Sequence, residues 1–357
     1  MKHLLGTALF FVSATLVAAD AAPRTATFEV RHQLDIVVPE SAQKMRIWFA
    51  MPQDDPDQRV SGFKVESPYP TAITTDSEGN TAVYLEVTKP ATKAFSIVET
   101  FTVARSEMTS GADPAKSRPL TAADREAQAR YLGSNAQIIV DDDVRKIATE
   151  VIGAETNPVR AARKLYDWTL ANIDYWVKDP VNRKASPLGS SVYCLTSRTG
   201  NCSDFNSLWT ALARAAGIPT RMVYGSLFKA ELEGADRDQS YHCWAEFWAP
   251  GTGWIVHDVA VADIFVGDFP TTADNAEKVR LTTAAGYFGP DPAKVDYYFG
   301  NLDERRVVWS RGRDLTLSPP QSSGPVNALA KAHVEIDGQV AEEKTVWTRK
   351  LTYREKK

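Results

Sequence analysis

Two hydrophobic periodicities divide this sequence and constrain its fold. From residue 25 to 105, apolar side chains recur at every second position, the period of a strand with one buried face. The runs start at Phe28, Met45, Val83 and Phe95, and turn-rich segments separate them. The pattern predicts an all-β, sandwich-like N-terminal domain over residues 24–108.

Helical periodicity begins after a linker-like segment, residues 110–119, that is rich in Gly, Pro and charge. An apolar stripe from Leu165 to Ile173 predicts a helix that starts near Pro158, a favoured first helical residue. A weaker helix is predicted over Val144–Ile152. The three aspartates before it complement the helix dipole and lack the spacing of a calcium loop.

The chain closes with two strand-like runs, His333–Ile336 and Thr345–Tyr353, which an Asp-Gly turn pair joins. We therefore expect an α+β fold, with a mixed core over residues 120–315 and a C-terminal β-strand extension over residues 316–357.

The first 21 residues predict a secretory signal. Lys2 supplies a positive start, Leu4–Val17 is uncharged and mostly apolar, and small alanines follow. No other stretch is long and apolar enough to predict a stable membrane insertion. The expected location is periplasmic or secreted.

Charge argues against one class of partner. Lys and Arg total 41 against 45 Asp and Glu, a net charge of −4, which disfavours nucleic-acid binding. His32 and His333 each stand alone in the sequence and are expected to titrate at the surface.

Three cysteines, Cys194, Cys202 and Cys243, leave at least one thiol unpaired within a monomer. We expect Cys202 to be the free thiol, whereas Cys194 and Cys243 either pair or stay buried as small apolar residues.

Cys202 lies at the start of a predicted amphipathic helix. Phe205, Leu208, Trp209 and Leu212 form its apolar face, and Gly217 with the Ile-Pro that follows ends it. A first-turn cysteine is next to unsatisfied backbone N–H groups and the positive end of the dipole. Both favour a thiolate and could stabilise an oxyanion.

A predicted hairpin follows, with the strands YHCWAEFW and WIVHDVA around a Gly-containing loop. If Trp248 and Trp254 pair, Asp258 lies opposite Trp244 and diagonal to His242 on the same face. A hydrogen bond from Asp258 would then orient the histidine, as a triad requires.

The same alternation argues against a zinc site. Adjacent strand residues 242 and 243 point to opposite faces, so His242 and Cys243 should not converge with Cys202 and His257 on one metal. His257 faces away from Asp258 and is predicted to be structural.

The segments GNCSDFNSLWTALARAAGIPTRMVYG and SYHCWAEFWAPGTGWIVHD resemble the core of the transglutaminase-like superfamily, which has a papain-like cysteine fold. YYFGNLDERRV and RGRDLTL resemble its secreted bacterial branch. The resemblance implies that Cys202 is the nucleophile, His242 the general base and acid, and Asp258 the orienting carboxylate. The family aspartate often precedes proline, whereas here Val259 follows.

The resemblance implies an acyl-transfer or hydrolysis reaction through a thioester, at a peptide bond or glutamine carboxamide of a protein or peptide substrate. No cofactor or metal is implied. Water and an amine remain alternative acceptors, and Tyr193, Asn201 and Trp176 remain alternative oxyanion donors. The alternative function is a non-catalytic binding or scaffold protein on the same fold.

Overall fold

A computed structural model describes residues 22–235, 241–283 and 287–357. The predicted signal segment, residues 1–21, lies outside these residues. Within the described ranges no helix is both long and apolar enough to cross a membrane.

Strand alternation builds the first part of the chain, as predicted. Alternate side chains of each strand are buried because every second residue of a strand points to the same face. The strands are β1 (Thr25–Val37), β2 (Lys44–Met51), β3 (Gln58–Glu66), β4 (Ala72–Thr75), β5 (Thr81–Thr88), β6 (Ala94–Ser106) and the short β7 (Met108–Thr109).

The middle of the chain contains helices and a second set of strands. The helices are α1 (Ala122–Ala127), α2 (Asp142–Ile152), α3 (Pro158–Asn172), α4 (Ser191–Ser197), α5 (Cys202–Ala215), α6 (Val259–Asp263), α7 (Ala276–Thr283) and α8 (Pro292–Tyr297). The strands are β8 (Asp174–Tyr175), β9 (Thr199–Gly200), β10 (Thr220–Leu227), β11 (Tyr241–Ala249), β12 (Gly253–His257), β13 (Asn301–Leu302) and β14 (Arg306–Arg311). Helices α2 and α3 coincide with those predicted.

The last three strands complete the N-terminal sandwich. They are β15 (Ala332–Ile336), β16 (Gln339–Val340) and β17 (Trp347–Glu355). One sheet has the order β17-β1-β6-β3 and the other β16-β15-β2-β5-β4. The Asp-Gly pair joins β15 to β16, and β17 pairs with β1 more than 300 residues away in sequence.

A four-stranded antiparallel sheet of order β12-β11-β10-β14 forms the centre of the core, and α5 packs on it. The edge strand β14 also contacts the sandwich. The Gln58 side chain bonds both the N–H and the C=O of Val308, at 2.9 and 3.1 Å. Trp309 lies in the apolar core of the sandwich. The sandwich therefore holds β14 together with β10, the strand it pairs with.

The expectation that His32 and His333 lie at the surface is wrong. His32 is fully buried, and its Nδ1 donates to Glu99 while its Nε2 accepts from Arg349, at 2.8 and 2.7 Å. His333 is 8% exposed and packs on Trp48. His32 has the same parity as the buried residues of β1, so the strand period places it inside.

Candidate active site

The first turn of α5 holds Cys202, as the sequence predicted. Asn201 is the N-cap, and its Oδ1 accepts from the N–H groups of Ser203 and Asp204 at 2.9 and 3.0 Å. Asp204 bonds back to the N–H of Asn201, which completes a capping box. None of the hydrogen bonds between described residues uses the N–H of Cys202, so that group is available at the helix end.

His242 contacts Asp258 and lines the same pocket as this thiol. His242 lies near the start of β11, opposite Gly225 on β10. Its Nε2 donates to Oδ2 of Asp258 at 2.6 Å, which leaves Nδ1 for the thiol of Cys202. The Cys202 thiol and the His242 imidazole line one pocket, and each shifts the pKa of the other. The three predicted site residues are therefore brought together.

Asp258 reaches His242 by a different route from the one predicted. The hairpin register is correct, since Trp248 pairs with Trp254 and Ala245 with His257. The strand then ends at His257, and the expected strand over WIVHDVA is wrong beyond that residue. Asp258 is instead the N-cap of α6, where its Oδ1 accepts from the N–H of Val261 at 3.1 Å. Capping turns the chain into a helix and leaves Oδ2 for the imidazole.

Charge and hydrogen bonding favour an ion pair at the site. Hydrogen bonds from Cys243 and the positive charge of His242 outweigh burial and hold the pKa of Cys202 well below its ordinary value. Burial opposes the charged form of His242, but Asp258 and Cys202 raise its pKa to about 9. Both shifts favour the charged forms of the pair, a thiolate and an imidazolium.

Cys243 also interacts with the Cys202 thiol, although it is adjacent to His242 in β11. The Cys243 thiol lies 3.3 Å from Oγ of Ser203, the residue after Cys202. Burial raises the pKa of Cys243, so its thiol keeps its proton and donates it. Within the described residues no group of three His, Cys, Asp or Glu side chains could hold a metal ion.

The remaining cysteine and histidine are structural. Cys194 and Cys243 are both buried and unpaired with each other. Burial raises the pKa of Cys194, whereas the pKa of Cys202 is lowered. His257 packs 3.8 Å from the Trp209 ring, centroid to centroid, and burial lowers its pKa to about 3.

Sequence reasoning missed three residues at the site. Arg306, at the start of β14, is fully buried and donates to Oδ2 of Asp258 at 2.5 Å. Asn206 donates to the carbonyls of Cys202 and Cys243, at 2.9 and 3.2 Å, and so ties α5 to β11. An arginine that begins an apolar strand, and a polar residue four after the cysteine, are signals that could have indicated them.

Tyr175 is the third missed residue. Burial and the negative charge of Cys202 raise the pKa of Tyr175, so its hydroxyl keeps its proton and bonds to the thiol. No feature of the local sequence indicated this contact.

The candidate oxyanion donors differ in their surroundings. The side-chain nitrogen of Asn201 donates to the carbonyl of Ser186 at 3.5 Å, and the Tyr193 hydroxyl donates to the carbonyl of Lys184 at 3.0 Å. Trp176 lines a pocket of about 200 Å³ that also contains Cys202 and His242. Lys229 lines the same pocket, and burial lowers its pKa to about 8.

Residues 145–259 match the family model of the transglutaminase-like superfamily core. The matched segment begins within α2 and ends one residue after Asp258, so it includes Cys202 and His242 as well.

The whole chain has relatives. A Haemophilus influenzae protein with no assigned function is 26% identical over 373 residues, 95% of this chain and 95% of that protein. The structure resembles that of a protein from Cytophaga hutchinsonii described as a candidate cysteine protease, with a TM-score of 0.57 and 16% identity over 94% of this chain and 92% of that chain. The periplasmic domain of TgpA from Pseudomonas aeruginosa has a TM-score of 0.36 and 14% identity over 75% of this chain and 98% of that chain, too loose a similarity to relate residues.

The family match and the Cytophaga structure confirm the predicted fold class, an α+β fold that joins a papain-like transglutaminase core to an N-terminal β-domain.

Proposed function

We propose that this chain, of which residues 145–259 match the transglutaminase-like superfamily core, is a cysteine enzyme that transfers or hydrolyses acyl groups through a Cys202–His242–Asp258 triad. The observation that supports this proposal is the buried cluster of these three side chains: His242 bonds to Asp258 and shares a pocket with Cys202, the thiol pKa is lowered and the imidazole pKa is raised.

The proposed reaction begins with a thiolate. Sγ of Cys202 attacks the carbonyl carbon of a peptide or glutamine amide, and the carbonyl π electrons move to oxygen. We expect the N–H of Cys202 to donate to that oxyanion, with Trp176 as the side-chain candidate in the same pocket.

His242 then moves the proton. The imidazolium gives its Nδ1 proton to the leaving amine as the C–N bond breaks, which leaves a thioester on Cys202 and a neutral ring. Water or a second amine loses a proton to that ring and attacks the thioester, which releases the product and the thiolate. Asp258 keeps Nε2 as the donor to its carboxylate, so Nδ1 is the nitrogen that exchanges the proton.

The substrate is proposed to be a protein or peptide, met in the periplasm or outside the cell, since the first 21 residues have the pattern of a secretory signal.

The test measures the rate at which iodoacetamide alkylates Cys202 from pH 5 to 9, by peptide mass spectrometry. We expect fast labelling well below pH 7 that is lost in His242→Ala. Cys194 in the same chain is the internal control, since its raised pKa predicts slow labelling, and His333→Gln controls for loss of a distant histidine.

Labelling that follows an ordinary thiol, near pH ~8.5, and is unchanged in His242→Ala would contradict the triad and leave the non-catalytic binding protein as the better account. With the triad established, release of ammonia or a new amine terminus from a peptide, with and without added amine, separates transfer from hydrolysis.

A further inference from the structure

A second cavity, of about 340 Å³, lies where the core meets the sandwich. Leu188, Gly189 and Ser203 contribute to its lining from the core, and Trp347 of β17 from the sandwich. Tyr241 lines this cavity and also the pocket that holds Cys202, so one side chain stands between them. The cavity is therefore next to the proposed reaction centre, although the triad does not use it.

The cavity contains a buried cation without a counter-charge. Arg313 is 7% exposed, and its guanidinium donates to the carbonyls of Gly189 and Leu188, at 2.7 and 2.5 Å, and to Ser207 Oγ at 2.8 Å. All of these partners are neutral. No carboxylate of the described residues forms a salt bridge with Arg313, and Glu343, which also lines the cavity, is bonded to Lys331 at 2.8 Å. Buried charges are ordinarily paired, so this one favours an anion.

Arg313 is close to the nucleophile's helix. A Cβ placed on Gly189 would lie 2.4 Å from Cβ of Ser203 and 3.1 Å from Nη2 of Arg313. Only the absence of a side chain at Gly189 lets the guanidinium approach the first turn of α5 so closely. Ser203 directly follows Cys202 in that turn.

Two further side chains that line the cavity have a polar atom without a partner. The hydroxyl of Tyr224 and Oδ1 of Asn327 are buried and bond to no described residue. Burial raises the pKa of Tyr224, so the hydroxyl is a donor. The Asn327 amide nitrogen donates to the carbonyl of Leu188 at 3.1 Å, which leaves its oxygen as the acceptor.

We propose that this cavity is a subsite for a carboxylate of the peptide substrate. Arg313 supplies the positive charge, and the Tyr224 hydroxyl is a donor for a carboxylate oxygen. Asn327 can accept from an N–H of the same substrate residue. The substrate class is then a peptide with a carboxylate near the bond that Cys202 attacks. The inference rests on the proposed function, but binding in the cavity does not require the thiol.

The carboxylate has two possible sources, the C-terminus of a peptide or an acidic side chain. Three tripeptide pools separate them: free C-termini without acidic residues, amidated C-termini without acidic residues, and amidated C-termini with one glutamate. Their affinity is measured by isothermal titration calorimetry on full-length Cys202→Ala, which binds without turnover.

We expect the first or the third pool to bind at least about tenfold more tightly than the second, the factor of a single charge-assisted hydrogen bond. Arg313→Gln and Tyr224→Phe should each reduce that preference. Tyr224→Phe removes a hydroxyl with no protein partner, so it should leave the chain as stable as before. The matched control is Tyr166→Phe, which loses a bond to the carbonyl of Val295 but lies outside the cavity and should keep the preference.

Equal binding of the three pools, no binding of any, or a preference that survives both variants would overturn the subsite. Loss of the proposed function would instead appear as ordinary reactivity of Cys202, with the carboxylate preference of the Cys202→Ala protein unaffected.

Discussion

Nη1 of Arg306 lies 2.5 Å from Oδ2 of Asp258, the same oxygen that accepts from His242 at 2.6 Å. One buried carboxylate oxygen therefore joins the proposed base to a cation on β14. Burial alone would raise the pKa of Asp258, but His242 and Arg306 hold it well below the usual range. Because β14 also contacts the sandwich, Arg306 connects the N-terminal domain to Asp258.

Arg306→Gln should destabilise the fold and weaken the triad. Removing one partner leaves the Asp258 charge buried with less compensation, which costs about 3–5 kcal/mol of unfolding free energy. We also expect slower alkylation of Cys202 at pH 6, since Arg306 no longer holds in place the Asp258 oxygen that accepts from His242. Urea denaturation and the alkylation rate measure the two effects.

The control is Arg59→Gln on β3. That side chain is 71% exposed and pairs with Asp54 at 3.3 Å, so its loss should cost only about 0–1 kcal/mol. Equal changes in unfolding free energy and in alkylation rate for the two variants would contradict a specific role of Arg306 at the site.

Cys243→Ala should slow the alkylation of Cys202 below pH 7. The Cys243 thiol is the largest contributor to the low pKa of Cys202, and a hydrogen bond to a charged group is worth about 1.5–3 kcal/mol, or about one to two pKa units. The measurement is the pH profile of alkylation. Cys194→Ala, another buried thiol, should leave the profile in place, and a Cys243→Ala profile that matches the original would contradict the bond.

The pH dependence of turnover should have an alkaline limit. Cys202 stays a thiolate in mild acid because its pKa is lowered, but above about pH 9 His242 loses the proton that the leaving amine needs. The raised pKa of His242 also stabilises the fold fully below about pH 6.5, the ordinary histidine value, and this contribution is lost as pH rises towards about 9. Turnover that still rises beyond pH 10 would contradict the assignment.

His257→Phe should make the protein less sensitive to acid. Burial holds the pKa of His257 at about 3, and neither ring nitrogen has a partner among the described residues. Below about pH 6.5 His257 is protonated in the unfolded chain but not in the folded one. This difference lowers the free energy of unfolding by about 2 kcal/mol at pH 5. A phenyl ring keeps the contact with Trp209 and avoids that cost.

Urea denaturation at pH 5 and pH 7 measures the difference. The gap in stability between the two pH values should narrow in His257→Phe, and an unchanged gap would show that another group carries the acid sensitivity.

Local signals explain which parts of the site could be predicted. The capped first turn around Cys202 and the hairpin register are set by residues within a few positions of each other, so the sequence pattern was enough. Asp258 was placed beside His242 correctly, but through a continued strand instead of a helix cap. Aspartate is a favoured N-cap residue and so could have indicated a helix start at Asp258, but the alternating pattern predicted a continued strand.

Contacts over long sequence distances explain what was missed. Arg306 meets Asp258 across 48 residues, and no spacing rule relates an arginine on one edge strand to a cap on another element. The burial of His32 could have been predicted, because it has the same parity as the buried residues of β1. The expectation of exposure came from its polar residue type alone.

The pairing of β17 with β1 also determines how early in synthesis the first sheet can be completed. Phe28 pairs with Glu355, and Ile36 with Trp347, so this edge of the first sheet stays open until residues 347–355 have been made. Contacts of such wide separation form late and slowly, and an open edge can recruit other chains meanwhile. A ribosome that stalls in the final strand would therefore release a protein whose proposed catalytic residues are all present but whose sandwich, the support of β14, is unfinished.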